Sequence, residues 1–265
     1  MKFSNDCNQQ SSVELVAPDP ANGHAYVDLG LRSGGNKILF ATMNVGASAP
    51  QEFGDYFAWG ETSKRYSYVD WDNGYLSEYQ DIFYPIVGGT FSEDNAPFFG
   101  GWEGEEWSSP KIWTKYNVAD NKKTLDPVDD VASVIWGGAW RMPDKADLEY
   151  LFSSYCTYTL MDDYNSTGVA GVLITGKGDY ADNSIFLPFA GDNADDIICC
   201  ESSNGEKYGN YWLRSLFIDT DYDDDVDQAG MLLIMLYSEN TIVHDWTKHY
   251  RCYAKSVRPV LVVPE

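Results

Sequence analysis

Asp126-Pro127-Val128-Asp129-Asp130 runs through Val131-Ala132-Ser133-Val134-Ile135-Trp136-Gly137-Gly138 into Ala139-Trp140-Arg141-Met142-Pro143, then Asp144, Leu148 and on to Tyr155. The first part reads as a short helix. Asp126 can cap it, Pro127 suits the first helical position, and Asp129 and Asp130 lie near the positive end of the helix dipole. Val128, Val131, Val134 and Ile135 then share one helical face, and Gly137-Gly138 stops the run. A second helix is predicted from Asp144, with Asp147 where a capping box carries Glu or Gln. Leu148, Leu151, Phe152 and Tyr155 follow the spacing of a helical stripe packed on a core. Trp136, Trp140 and Met142 supply bulky apolar surface between the two helices.

Upstream, Gln9, Gln10, Ser11 and Ser12 with Pro18 and Pro20 read as a tail over residues 1–21. From His24, Ala25, Val27 and Leu29 alternate with Tyr26 and Asp28 as in a half-buried strand. A turn at Ser33-Gly34-Gly35-Asn36 returns the chain along Lys37 to Thr42, which predicts a hairpin. Between about residues 60 and 125 periodicity fades. Gly88-Gly89, Gly100-Gly101 and many aromatics there predict a long, ordered loop insertion. Downstream, short strands are expected at Gly168–Ile174, Ser184–Phe189, Tyr208–Phe217, Thr241–Trp246 and Ser256–Val263. Met231–Leu236 is apolar without a break, as in a central buried strand. Gly176-Lys177-Gly178 is a turn.

Several blocks carry a family resemblance. Trp140-Arg141-Met142-Pro143 with Asp144 and Leu148-x-x-Leu151 resembles the signature block of the Fibrobacter succinogenes major paralogous domain. His24–Leu31, Ala41–Ala47, Gly54–Glu61, Ser184–Pro188, Tyr211-Trp212 and Ser256–Val260 are similar to further blocks, in the family's order. The turn after Leu31 departs from the family's wording, with Arg32 where Pro is expected. The resemblance implies an α+β, C-type-lectin-like fold with two helices, short antiparallel sheets and long ordered loops. It implies one domain over residues 22–265. That fold is related to formylglycine-generating enzymes and to retroelement-diversified variable proteins, and it hosts both enzymes and binders.

The formal net charge is −23 with a pI near 4.2, which disfavours nucleic acid and anionic lipid as partners. No apolar run approaches the ~18 residues that span a bilayer. Residues 1–6 lack the apolar core of a signal peptide. The expected location is extracellular, on a cell surface or virion, with any leader already removed. Five cysteines, Cys7, Cys156, Cys199, Cys200 and Cys252, leave at least one unpaired within a monomer and show no zinc spacing.

The richest polar cluster runs from Asp219 to Asp227. Asp219, Asp221 and Asp223 match the first, third and fifth ligands of a calcium loop, which makes them the Ca²⁺ candidates. Asp224 at the sixth position and Gly230 at the twelfth depart from that loop. The Glu-Pro-Asn or Gln-Pro-Asp triplets and the Trp-Asn-Asp triplet of sugar-binding C-type lectins are absent, so no cofactor is expected. His24, His244 and His249 are the only histidines and have no Gly-x-Ser-x-Gly elbow. Cys252 lies where the formylglycine-generating enzymes carry a cysteine pair, but no second cysteine matches. A non-enzymatic role follows.

In relatives the C-terminal region holds exchangeable surface residues between fixed framework positions. Here Tyr211-Trp212, Arg251 and Ser256–Val260 match the framework. The candidate ligand-binding residues are Leu213, Arg214, Phe217, Asp219, Asp221, Tyr222, His244, Trp246, Lys248, His249, Tyr250 and Lys255. Aromatic and basic side chains give large contact area at low entropic cost. The expected function is that of an adhesin or receptor-binding protein, on a cell surface or phage tail, meeting a protein or glycan on another surface. A Ca²⁺-dependent lectin and a structural surface or pilus component are the alternatives.

Overall fold

The computed structural model describes residues 19–62, 102–103, 106–107, 115–116, 119–194, 197–201, 205–217, 228–237, 241–251 and 254–265. The predicted hairpin is present: β1 (Tyr26–Ser33) pairs antiparallel with β2 (Asn36–Ala41). Gly34 and Gly35 turn it at φ of 58° and 79°, a left-handed region open to glycine. A two-residue-per-strand ladder, β3 (Trp102–Glu103) with β4 (Glu106–Trp107), lies inside the predicted loop insertion. Next come helix α1 (Val131–Trp136), β5 (Trp140–Arg141) and helix α2 (Lys145–Glu149). The last strand, β15 (Val260–Pro264), lies between β2 and β5, so the sheet reads β1-β2-β15-β5. The first and last thirds of the chain thus share one ladder. The turn at Asp19–Gly23, expected to belong to the tail up to residue 21, is part of this body. Ala21 is buried, its carbonyl accepts from Trp140 Nε1 at 2.7 Å, and Asn22 Nδ2 donates to the Trp136 carbonyl at 2.6 Å.

Helix α1 differs from its prediction. The cap is Asp130 rather than Asp126: its carboxylate accepts from the amides of Ala132 and Ser133 and, across to β5, from Met142 at 2.9 Å. Four residues shorter at its start, the helix turns Val131, Ala132 and Trp136 inward. Val128 (69% exposed), Val134 and Ile135 face outward. A stripe that starts at Val128 is out of phase, because Val128 lies before the first helical turn. Helix α2 keeps its predicted start, with the Asp144–Asp147 capping box formed. It ends at Glu149 and continues as a 3₁₀ turn over Tyr150–Phe152, so Leu148 and Leu151 are buried while Tyr155 is exposed.

Beyond this turn, β6 (Cys156–Met161), β7 (Gly171–Gly176) and β8 (Ser184–Pro188) form an antiparallel meander. Gly171 sits where a Cβ would lie 2.3 Å from the Leu187 carbonyl oxygen, so close strand packing excludes any side chain there. Strands β9 (Asp192–Ala194) and β10 (Ile197–Cys199) pair, and β9 also pairs with β14 (Ala254–Lys255). The remaining sheet orders β11 (Tyr208–Leu216), β12 (Gln228–Tyr237) and β13 (Thr241–Tyr250), all antiparallel. The architecture is mixed, mostly antiparallel strands in small sheets with two α-helices among the described residues. None of these helices is long and apolar enough to cross a membrane.

Two apolar cores lie on opposite faces of shared strands. Leu39 and Ala41 of β2, Leu261 of β15, Trp212 of β11 and Met231 of β12 enter one core with Trp59, Trp136 and Trp140. Ile38 and Phe40, Val260, Tyr211 and Leu213, and Leu232 and Ile234 enter the other, closed by β7, β8 and Leu148. Strands buried on both faces need apolar residues at every position, which explains the unbroken run in β12. A fully buried Arg258 ties the walls together. Its guanidinium donates to Asn44 Oδ1 (2.8 Å), the Ala41 carbonyl (3.1 Å) and the Phe186 carbonyl (2.9 Å).

The outward position of Val134 and Ile135 makes a direct expectation. Val134→Ser and Ile135→Lys should each change unfolding free energy by under about 0.5 kcal/mol, as surface substitutions do. Trp140→Ala should cost about 3–5 kcal/mol in urea denaturation, as for a large ring removed from a core. Equal costs for the two classes would refute the phasing of α1.

Candidate functional site

Strand β13 is ten residues long and, among the described residues, pairs with β12 alone, so it forms one edge of its sheet. Period-two alternation sorts its side chains. Ile242, His244, Trp246 and Lys248 share the face that carries the second core. Ile242 and Trp246 pack against that core. His244 stacks on Phe152 with ring centroids 4.3 Å apart, and Tyr158 meets the same imidazole edge-on at 6.4 Å. Lys145, first residue of α2, brings its ammonium 5.9 Å from the Trp246 ring, and Lys248 lies 5.6 Å from the Phe217 ring. All of His244, Trp246, Lys248 and Phe217 are half-buried. They are supported from beneath and keep part of their surface exposed. Burial holds the His244 imidazole below the ordinary histidine pKa, the neighbouring Asp245 charge opposing it. The neutral ring is thereby favoured, and a neutral imidazole donates one hydrogen bond and accepts another.

Arg214 reaches the same end of the sheet, where its Nε donates to Asp144 Oδ1 at 2.7 Å. The Asp144 carboxylate is also 3.5 Å from Arg141, which in turn bonds Asp147 at 2.7 Å. The start of α2 is thus tied to β11 by charge, which fixes Lys145 and Trp246 relative to each other.

Two of the sequence-predicted contact residues are not on the surface. Leu213 belongs to the second core, across from Gly230 where no side chain intervenes. Lys255 is wholly buried: its ammonium pairs with Asp192, lies 5.1 Å from the Trp212 ring, and its amide donates to the Phe57 carbonyl. Asp192 also accepts from Asn210 Nδ2 at 2.9 Å. A lysine reads as surface in a sequence, but this one is itself buried and pairs with a largely covered carboxylate. His249 takes the opposite face of β13 from Trp246, toward this same ion pair. Burial first, then the Lys255 charge, pushes its imidazole down to about 4, with Asp192 opposing. Tyr250 ends β13. Asp219, Asp221, Tyr222 and Asp223 lie outside the described residues, and with them the Ca²⁺ candidates. Among the described residues no three His, Cys, Asp or Glu side chains converge as a metal site requires.

Lys145, Phe152 and Tyr158 were not foreseen. Each lies more than eighty residues from β13 in the chain, and nothing in their local sequence announces the contact. Cys156, at the start of β6, is buried and its thiol is pushed up by desolvation, which makes it a packing residue rather than a nucleophile.

Two expectations follow. The first concerns Lys255→Ala, which strands the Asp192 charge and should lower unfolding free energy by about 3–5 kcal/mol in urea titration. A loss under about 1 kcal/mol would show that the pair is not held dry. The second concerns His249. The folded pKa lies below the unfolded 6.5, so the unfolded chain binds more protons between pH 6.5 and about 4. Stability should be unaffected above that window and fall as pH drops through it. His249→Gln should flatten this slope, and an unchanged slope would place the ring in water. No protein-family model, curated protein or solved structure matches this chain.

Proposed function

We propose that this chain is a non-enzymatic recognition protein of the C-type-lectin-like class, with its ligand meeting the outer part of the β11-β12-β13 sheet. The observation that carries the reading is the row His244, Trp246 and Lys248 on one face of an edge strand, half-exposed above a core that fixes their backbone. Side chains mounted this way lose little entropy on binding, because aromatic and stacked groups are already ordered. They can also be exchanged with little effect on the fold, as a variable binding face requires.

The lectin-like class is favoured by where the family-like blocks fall. The Trp140–Pro143 block supplies β5 and the buried Trp140, and the Ser256–Val260 block supplies Arg258 at the centre of the molecule. Both sit where a framework motif would. The expected setting is the surface of a cell or a phage tail, and the expected ligand a protein or glycan displayed on another surface.

The test is an array of immobilised glycans and host-surface proteins probed with the labelled protein, with and without chelator. The His244→Ala, Trp246→Ala, Lys248→Ala triple variant should lose at least about tenfold in affinity for whatever the parent retains, since each such anchor contributes about 1–2 kcal/mol. Cooperative thermal unfolding of the variant verifies that the fold is intact. Unchanged binding by the triple variant would move the ligand elsewhere, and binding abolished by chelator would favour a Ca²⁺-dependent lectin.

A further inference from the structure

The outer edge of β13 carries a detail that the recognition reading does not use. The Trp246 backbone amide does not donate to β12. It donates to the neighbouring Asp245 carboxylate at 2.8 Å. In a strand the amide and carbonyl of one residue point to the same side, and alternate residues repeat that direction. His244, Trp246 and Lys248 therefore direct their backbone groups away from the sheet and their side chains to the face shared with α2. Trp212, paired with Met231, likewise directs its amide outward to the Ser256 carbonyl, so the two strands flanking β12 keep one consistent hydrogen-bond phase. An edge with outward amides is a template for another strand, and a charge placed on it is a common means of keeping strands off. Asp245 is such a charge, folded back onto the edge.

The side chains beside this edge offer donors. Among the described residues the Trp246 indole N–H has no acceptor, and the Lys248 ammonium has the Phe217 ring but no carboxylate. The Lys145 ammonium adds a second positive centre, 3.5 Å from Glu149. Charges beyond about 8 Å are largely screened at physiological ionic strength. The local set therefore matters more to a short ligand than the net charge of −23. A second copy of the chain would bring that whole charge with it and set one Asp245 near another.

We propose that β13 takes up an extended segment of another protein as a fourth strand. This segment carries carboxylates at alternate positions, which meet Trp246 and Lys248 while its backbone replaces Asp245 on the Trp246 amide. The proposal rests on the recognition reading above and names its ligand class. Alternate peptide side chains are about 7 Å apart on one face, the spacing of Trp246 and Lys248 themselves, so strand addition matches acid to donor without adjustment. Asp245 acts as a guard: it satisfies the edge amide when no strand is present and must swing out when one arrives.

The experiment measures fluorescence anisotropy with a fluorescein-labelled heptapeptide that alternates Glu with Val. Its counterparts carry Lys for Glu, or backbone N-methyl groups on the residues that face β13. The acidic peptide should bind, the Lys peptide at least about tenfold more weakly, and Lys248→Glu should reverse that order. Asp245→Ala should tighten the acidic peptide several-fold, and N-methylation should abolish binding by removing the inter-strand donors. Equal binding of the N-methyl peptide, failure of both charged peptides to bind, or no tightening in Asp245→Ala would overturn the proposal. Binding of the Lys peptide that is lost in Trp246→Ala would overturn the acidic ligand class but leave the recognition face standing. Loss of array binding in the triple variant reports on that face independently.

Discussion

Arg258 is the constraint on which the rest of the molecule is built. A guanidinium cannot shed its proton under ordinary conditions, and a buried one must be met by acceptors on every side. Here they are an amide oxygen from the loop after β2 and two backbone carbonyls, one at the end of β2 and one in β8. Desolvation draws its pKa down to about 10, with the Tyr211 and Tyr164 hydroxyl groups opposing, and the group stays charged. Hydrogen bonds to a charged donor are each worth about twice those between neutral groups. Three of them hold the β1-β2-β15-β5 sheet at a fixed distance from the β6-β7-β8 meander, and the second core fills the space between. Loss of any one acceptor would leave part of a buried cation unsolvated, so the loop at Asn44 is as fixed as the strands.

The same logic recurs at smaller scale elsewhere in the molecule. Asp130 ties α1 to β5, Asp147 ties α2 to Arg141, and Asp192 ties β9 to Lys255. Each is an acid with at least one partner from another segment. A chain this acidic would repel itself if its carboxylates were all at the surface, and several are instead spent in joints. The outcome is a rigid frame whose strands β11 and β12 are locked on both faces. The edge strand β13 is locked on one side only. Freedom to present side chains is confined to that edge by construction.

What could be read from the residues in advance was the part controlled by neighbours in sequence. The β1–β2 hairpin follows from alternation and two glycines at the turn, the α2 start from Asp144 and Asp147, and β12 from an unbroken apolar run. What could not be read depended on distant partners. Val128, Val134 and Ile135 have helical spacing, but the inward face follows the cap at Asp130, which accepts from Met142 beyond the end of the helix. Strand β6 was missed because Thr157, Tyr158 and Thr159 are exposed and leave little alternation to detect. Lys255 carries no local sign of burial. Asp192 and Trp212, brought in by other strands, make its position tolerable. At the site, the row on β13 was legible as a group, and its division between two faces was not, since the strand was expected to stop at Trp246 and instead runs to Tyr250.

The placement of β15 between β2 and β5 also bears on how the molecule is made. Ile38 waits for Val262, a partner 224 residues further along. At about 5–20 residues per second, a ribosome needs roughly eleven to forty-five seconds to deliver it. Throughout that interval the nascent hairpin exposes Leu39 and Phe40 with neither core closed. Such a chain gains from a chaperone that covers apolar strands during translation, and it is most exposed to aggregation just before its carboxyl-terminal strand emerges.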